Sequence, residues 1–214
     1  MIGNYKLKDV FNYGVVLLFS FTFATFITIN SSWIYLINVF WLKLNIKHQV
    51  SEIILMKNFY KMIIFIQNPL SDKLSLQKYN LSDNALLHFQ NVKSLVVVNN
   101  VILLITSIIL IVLLCNVNFR RNIWRLMEFI KTSWVIIGIC FLMVIADFND
   151  IFIYFHEILF RNKDWVFNPK NDPIINVLPD QYFFLCFAVW FLIVIVILAL
   201  FYLIGRRQMK RANL

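Results

Sequence analysis

Two histidines stand out in a chain with few other groups able to do chemistry. His88 opens the stretch HFQNVK. His156 lies in FHEILFRNKDWVFNP, Phe155 to Pro169, where a glutamate, an arginine, an aspartate and a tryptophan also break an apolar background. An imidazole is the side chain best suited to take and return a proton near neutral pH. Helical spacing puts Asn149, Phe152 and Phe160 on the face of His156, with Asp150, Tyr154 and Glu157 in a neighbouring stripe. Each histidine alone also has a structural reading, His156 as one ring on an aromatic face and His88 as a helix-end residue. His48, beside Lys47, reads as interfacial. A zinc site built from His88, His156 and a carboxylate has no HxxxH or HxxE spacing behind it, so no metal is expected.

The elements that must hold these residues are membrane helices. The chain is 61% hydrophobic and 14% charged, against about 25% charge in an ordinary globular domain. Four segments, about 13–36, 95–117, 132–154 and 182–204, each supply the roughly 20 apolar residues a spanning helix needs. Lipid offers no hydrogen-bond partners, so these segments are helical. The expected fold is therefore all-α: one polytopic membrane domain over 1–214, with four transmembrane helices and outer segments 37–94 and 155–181 forming a small cap.

Four spans put both termini on one side of the membrane. Lys6, Lys8, Arg120, Arg121, Arg125, Lys131, Arg206, Arg207, Lys210 and Arg211 crowd that side in short segments beside the spans, whereas the other basic residues are mostly spread through a long loop. The positive-inside rule makes the termini cytoplasmic and turns the histidines outward. Ser51 begins a short helix that ends before Pro69, and DKLSLQKY reads as extended. A helix starting at Ser82–Asp83 meets no breaker until Asn116. At 1.5 Å per residue it is roughly 50 Å long against a ~30 Å hydrocarbon core, so its first turns, with His88, project beyond the lipid and Lys93 lies a turn and a half below. Asp147, Asn149 and Asp150 interrupt the outer end of the third span, and Pro169, Pro173 and Pro179 make a turning loop before the fourth.

Several function classes are excluded. The only glycines are Gly3, Gly14, Gly138 and Gly205, too few and too scattered for a phosphate loop, a dinucleotide fingerprint or a nucleophile elbow. No nucleotide and no other cofactor is expected. Cys115, Cys140 and Cys186 lie within the expected spans without a CxxC partner, which argues against a disulfide framework. The net charge of +9 reads as topology and contact with anionic headgroups rather than nucleic acid.

HFQNVK, His88 to Lys93, resembles a histidine–aromatic/methionine–x–Asp–Val–Lys motif. FHEILFRNKDWVFNPKNDPIINVLPDQYF resembles a second, longer one, with FH, F, N, W, P and D at matching intervals. Together with KNFYKMIIFIQNP, they are similar to the four-span bacterial membrane proteins of the lipoprotein intramolecular transacylase family. The resemblance runs in order from Asn58 to Phe184. It implies a bacterial cell-membrane enzyme whose substrates are diacylated lipoproteins. The implied reaction moves the sn-2 acyl chain from its ester to the α-amino group of the N-terminal cysteine, at the outer leaflet, giving a lyso-form lipoprotein. His88 and His156 would be the working pair. Asn91 departs from the motif, where the family usually has Asp; Asp150, Glu157 and Asp172 are the carboxylates able to supply the missing charge.

Ester-to-amide transfer is downhill and needs no nucleotide. The acceptor amine, with a pKa of roughly 7.7–8.0, is mostly protonated at neutral pH and needs a base. Either His156 is the base and His88 the acid, or the reverse; a transient acyl-histidine is a further route. Asn91, Lys93 and the Trp165 indole are candidate donors to the oxyanion. The competing reading is a non-enzymatic accessory protein whose outer loops bind lipoproteins or membrane lipids.

Overall fold

A computed structural model describes residues 6–212; the expectations for Gly3 and for the chain ends, 1–5 and 213–214, fall outside the described residues. Among those residues every regular element is helical. In chain order they are α1 (Leu7–Asn30), α2 (Ser32–Trp41), α3 (Leu44–Lys47), α4 (Glu52–Gln67), α5 (Asp83–Cys115), α6 (Val117–Arg121), α7 (Met127–Ala146), α8 (Phe148–Phe160) and α9 (Asp180–Ala212), with tighter 3₁₀ turns at Ile123–Leu126 and Pro173–Val177. Four stretches are long and apolar enough to cross a membrane: α1, α5, Ile123–Ala146 and α9.

The long α5 follows from its ends. Ser82 Oγ accepts the Ala85 N–H at 3.2 Å, and Asp83 places a negative charge in the first turn. At the other end Asn116 is extended, and its side chain accepts from Asn118 and Phe119 to start α6.

Two helices stop short of the spans read from hydropathy. α1 ends at Asn30, where Asn30 Nδ2 donates to the Phe26 carbonyl at 2.7 Å and Ser31 Oγ to the Ile27 carbonyl at 2.8 Å. Such back-bonding side chains compete with the helix ladder, and the chain restarts as α2. α7 ends at Ala146. Asp147 is extended, with φ −150° and ψ 91°, and its carboxylate accepts the Asp150 N–H at 3.1 Å. An apolar run that reads as one span is thus a span followed by a separately capped helix, and His156 belongs to that second helix.

The chain packs as two compact units, one of residues 6–25, 99–142 and 189–212, the other of 26–98 and 143–188. In the first, Asp9 caps α1 through the Lys6 N–H and pairs with Arg125, both at 3.0 Å. Asn99 makes the interhelical bond expected of it, donating to the Thr22 carbonyl at 3.2 Å, and the Trp190 indole donates to the Thr25 hydroxyl at 2.9 Å. At Gly205 the backbones approach closely: a Cβ there would stand 2.9 Å from Trp124 Cα and 3.0 Å from Met127 Cγ. Backbone cannot yield as a side chain can, so Gly205→Ala is expected to destabilise the protein by about 1–3 kcal/mol, read as a lower midpoint for thermal unfolding in detergent.

In the second unit α2, α4 and the start of α9 meet in a ring cluster. Tyr35 stacks on Phe59 at 4.5 Å, and Tyr182 stands edge-on to both at 5.7 Å. The segment containing DKLSLQKY forms no strand with any described residue. Buried Asn58 of α4 holds it instead, donating to the Gln77 carbonyl at 2.8 Å and accepting the Gln77 N–H at 2.7 Å. One side chain thereby supplies the donor and acceptor that a neighbouring strand would have offered.

Candidate functional site

His88 lies in the second turn of α5 and His156 in the third turn of α8, both in the second unit. Their ring centroids are 5.9 Å apart. Aromatic rings surround the pair. Phe160 meets His88 edge-on at 4.8 Å, as does Phe167 at 5.6 Å. Phe152 is 4.1 Å from His156, Trp165 4.9 Å and Phe160 5.6 Å. The placement of Phe152, His156 and Phe160 on one helix face follows from their spacing. Phe167 comes from an irregular loop, and no periodic signal in the sequence could have placed it.

One hydrogen bond sets the proton inventory. His156 Nδ1 lies 2.7 Å from the Phe152 carbonyl oxygen, one turn earlier. A carbonyl only accepts, so Nδ1 carries the hydrogen, and in the neutral ring Nε2 presents a lone pair. Burial holds the imidazole of His156 below the ordinary histidine value of 6.5, with the bond to Phe152 opposing the shift. His88 Nδ1 is buried and has no hydrogen-bond partner among the described residues. Two imidazoles this close in an aromatic enclosure do not both carry charge near neutral pH.

The sign of the pH effect follows. A histidine with a lowered folded-state pKa binds its proton more readily in the unfolded chain, so its protonation favours unfolding. Above the unfolded value of 6.5 the folded state bears no such penalty; as pH falls below it, stability declines. The unfolding midpoint is expected to drop between pH 7.5 and 5, and to drop less in His156→Gln, as thermal unfolding in detergent at several pH values would show.

The other candidates take different places. Lys93 Nζ donates to the Ser71 carbonyl, and to the Ser71 hydroxyl at 3.2 Å, and sits 4.9 Å from the centroid of Phe65. Ser71 Oγ in turn donates to the Phe65 and Asn68 carbonyls, both at 2.9 Å. Lys93 thereby puts its charge at the C-terminal end of α4, where free carbonyls favour a cation. The Trp165 indole N–H donates to the Asn162 carbonyl at 2.9 Å, so its ring faces His156 while its donor is already engaged. Asn91 is part-exposed and Asp150 and Glu157 are exposed; none of their side chains bonds to either imidazole among the described residues. His48 caps the end of α3, away from the pair in sequence, with burial and Lys47 lowering its pKa.

Asp172 is 3% exposed and bonds to neither histidine. Oδ1 accepts the Ser82 N–H at 2.7 Å and Oδ2 accepts the Ser82 hydroxyl at 2.9 Å. A carboxylate at a helix N-terminus meets both free N–H groups and the positive end of the dipole. It ties the loop that carries Trp165 and Phe167 to the start of α5, six residues before His88. Ser82 had been legible only as a cap; its link to Asp172, 90 residues away, had no signal in the sequence. No group of three His, Cys, Asp or Glu side chains able to hold a metal ion occurs among the described residues.

Comparison with known proteins gives the arrangement a context. Residues 10–183 match the family model described as lipoprotein intramolecular transacylase Lit. Among solved structures, the membrane integral lipoprotein intramolecular transacylase Lit from Bacillus cereus is 25% identical, with 96% of this chain and 98% of that chain covered and a TM-score of 0.75. A form of that protein with one histidine replaced by arginine gives a TM-score of 0.77 at 24% identity, covering 96% of this chain and 94% of that one, and supports the fold alone. A form with a histidine replaced by alanine is 25% identical over 96% of each chain, with a TM-score of 0.68. No curated protein matches.

Proposed function

The chain belongs to the lipoprotein intramolecular transacylase family, and from that premise we propose that it moves the sn-2 acyl chain of a diacylglyceryl lipoprotein onto the α-amino group of the same molecule's N-terminal cysteine. Membership sets the chain among enzymes rather than accessory binders. Its four spans make it an integral membrane protein. On the positive-inside reading the termini face the cytoplasm and the histidine pair faces outward.

The observation that carries the mechanism is the bond from His156 Nδ1 to the Phe152 carbonyl. It leaves Nε2 as the acceptor. The amine reacts in its neutral form, the ammonium having first released one proton to water; His156 Nε2 takes the next proton as nitrogen attacks the ester carbonyl. The C–N bond forms, the carbonyl oxygen gains negative charge, and His88, neutral in its aromatic surroundings, donates a hydrogen bond to it. As the ester C–O bond breaks, His156 returns the proton to the glyceryl oxygen. From the neutral amine onward, one proton moves from nitrogen to the glyceryl oxygen, and atoms and charge balance without a nucleotide. Neither imidazole starts charged, in keeping with an enclosure that disfavours charge. Amine and ester belong to one substrate, so holding them about 3–3.5 Å apart supplies much of the acceleration.

The direct test is expression in a bacterium that makes only diacylated lipoproteins, followed by mass spectrometry of a reporter's N-terminal lipopeptide. The intact mass is expected to stay the same while fragment ions show one acyl chain on nitrogen. Fragments that keep both acyl chains on the glyceryl unit would overturn the assignment.

A further inference from the structure

α8 has three faces, and the mechanism uses one of them. His156, Phe152 and Phe160 turn into the ring enclosure. Asp150 and Glu157, two turns apart, form an exposed polar strip. On the side away from the enclosure Tyr154 is 58% exposed and Ile158 73%, and Phe155, 40% exposed, borders them with its ring 5.6 Å from His156 and 5.4 Å from Phe187. A helix of 13 residues, about 20 Å long, is too short to span a bilayer, yet it exposes this apolar strip.

What covers the strip follows from the chain before it. Met143 and Ile145, each 53% exposed, are outward-facing residues at the end of α7, which belongs to a spanning stretch; exposure there means contact with lipid. Only Asp147 separates α7 from α8. The apolar surface thus passes from a spanning helix into α8 across a single capping residue. Acids beside it, and a tyrosine at its border, are the composition of a helix lying where hydrocarbon gives way to headgroups.

We propose that α8 lies along the membrane surface, with Tyr154, Phe155 and Ile158 among the acyl chains of the adjoining leaflet and Asp150 and Glu157 toward headgroups and water. This places His156 at the hydrocarbon boundary, about where the ester bonds of a diacylglyceryl group lie. The substrate then approaches the pair sideways within the leaflet, its acyl chains never leaving lipid. The last step rests on the function proposed above; the seating of α8 does not.

The test uses the full chain in unilamellar phosphatidylcholine vesicles, with acyl chains unmodified or brominated near their carbonyl ends. Ile158→Trp and Glu157→Trp each add one indole to the six native tryptophans, and the added emission is taken as the difference from the parent. For Ile158→Trp, quenching at least twofold stronger by brominated lipid than by aqueous iodide is expected, and the opposite order for Glu157→Trp. Stronger iodide quenching at 158 would show the strip in water. Quenching at 158 by neither agent would show it covered by protein, a second copy included. Either result overturns the proposal. The readout is independent of catalysis, so the histidine variants and the quenching can fail separately.

Discussion

His156→Ala is expected to lower kcat for acyl transfer by about 10²–10⁴-fold, with little loss of folded protein. The expected size follows from the single proton path. The Phe152 carbonyl fixes which ring nitrogen holds the hydrogen, and among the described residues the one titratable side chain whose ring meets that of His156 is His88. Without the imidazole of His156 the amine proton loses the one acceptor whose tautomer the fold fixes. His88→Ala is expected to cost about 10²–10³-fold, the scale of a lost oxyanion donor. His88→Gln, which keeps an N–H at similar reach, should recover part of it, whereas His156→Gln should recover nothing because an amide is not a base. Single-turnover assays on a diacylglyceryl lipopeptide in detergent micelles would separate these outcomes. Full activity in both alanine variants would end the histidine mechanism.

Asp172→Ala is expected to lower kcat by about 10–100-fold with KM changed less than threefold, although residue 172 touches neither ring. A misplacement of about 1 Å at a reacting group can cost that much. The carboxylate holds the first residue before α5 by two bonds, and removing it frees both the helix start and the loop bearing Trp165 and Phe167. Asp172→Asn keeps one acceptor for the Ser82 N–H and should recover much of the rate. A purely structural role would show a smaller folded fraction with unchanged kcat per folded molecule. Equal kcat in Asp172→Ala and the parent, measured with active protein quantified independently, would sink the positioning role. Asp172 spends a hydrogen bond of each carboxylate oxygen on Ser82 and makes none to His88.

Helices were legible wherever one physical demand dominated. Hydropathy over twenty residues is a sum, and a sum tolerates a few misread positions. The start of α5 at Ser82–Asp83, its end before Asn116 and the cap at Ser51 were legible because capping is local chemistry between residues two or three apart. The endings of α1 at Asn30 and α7 at Ala146 fall inside spans read as continuous, because the short polar clusters Asn30–Ser32 and Asp147, Asn149 and Asp150 are outweighed by the apolar residues on either side. Whether such a residue bends, caps or simply sits in the helix depends on where its side chain finds a partner.

By itself the sequence determined that this is a four-span helical membrane protein, and it singled out His88 and His156, with the motifs around them, as the candidates for its chemistry. These are properties of composition, local spacing and residue type. Only the tertiary structure decided that the two rings lie 5.9 Å apart, that Lys93 and the Trp165 indole spend their donors on Ser71 and Asn162, and that Asp172 grips Ser82 rather than a histidine. Apart from the bond between Trp165 and Asn162, those outcomes depend on which groups meet across 22 to 90 residues of chain. A side chain with several possible partners takes the one that packing brings within hydrogen-bond reach, and that choice is made by the fold as a whole.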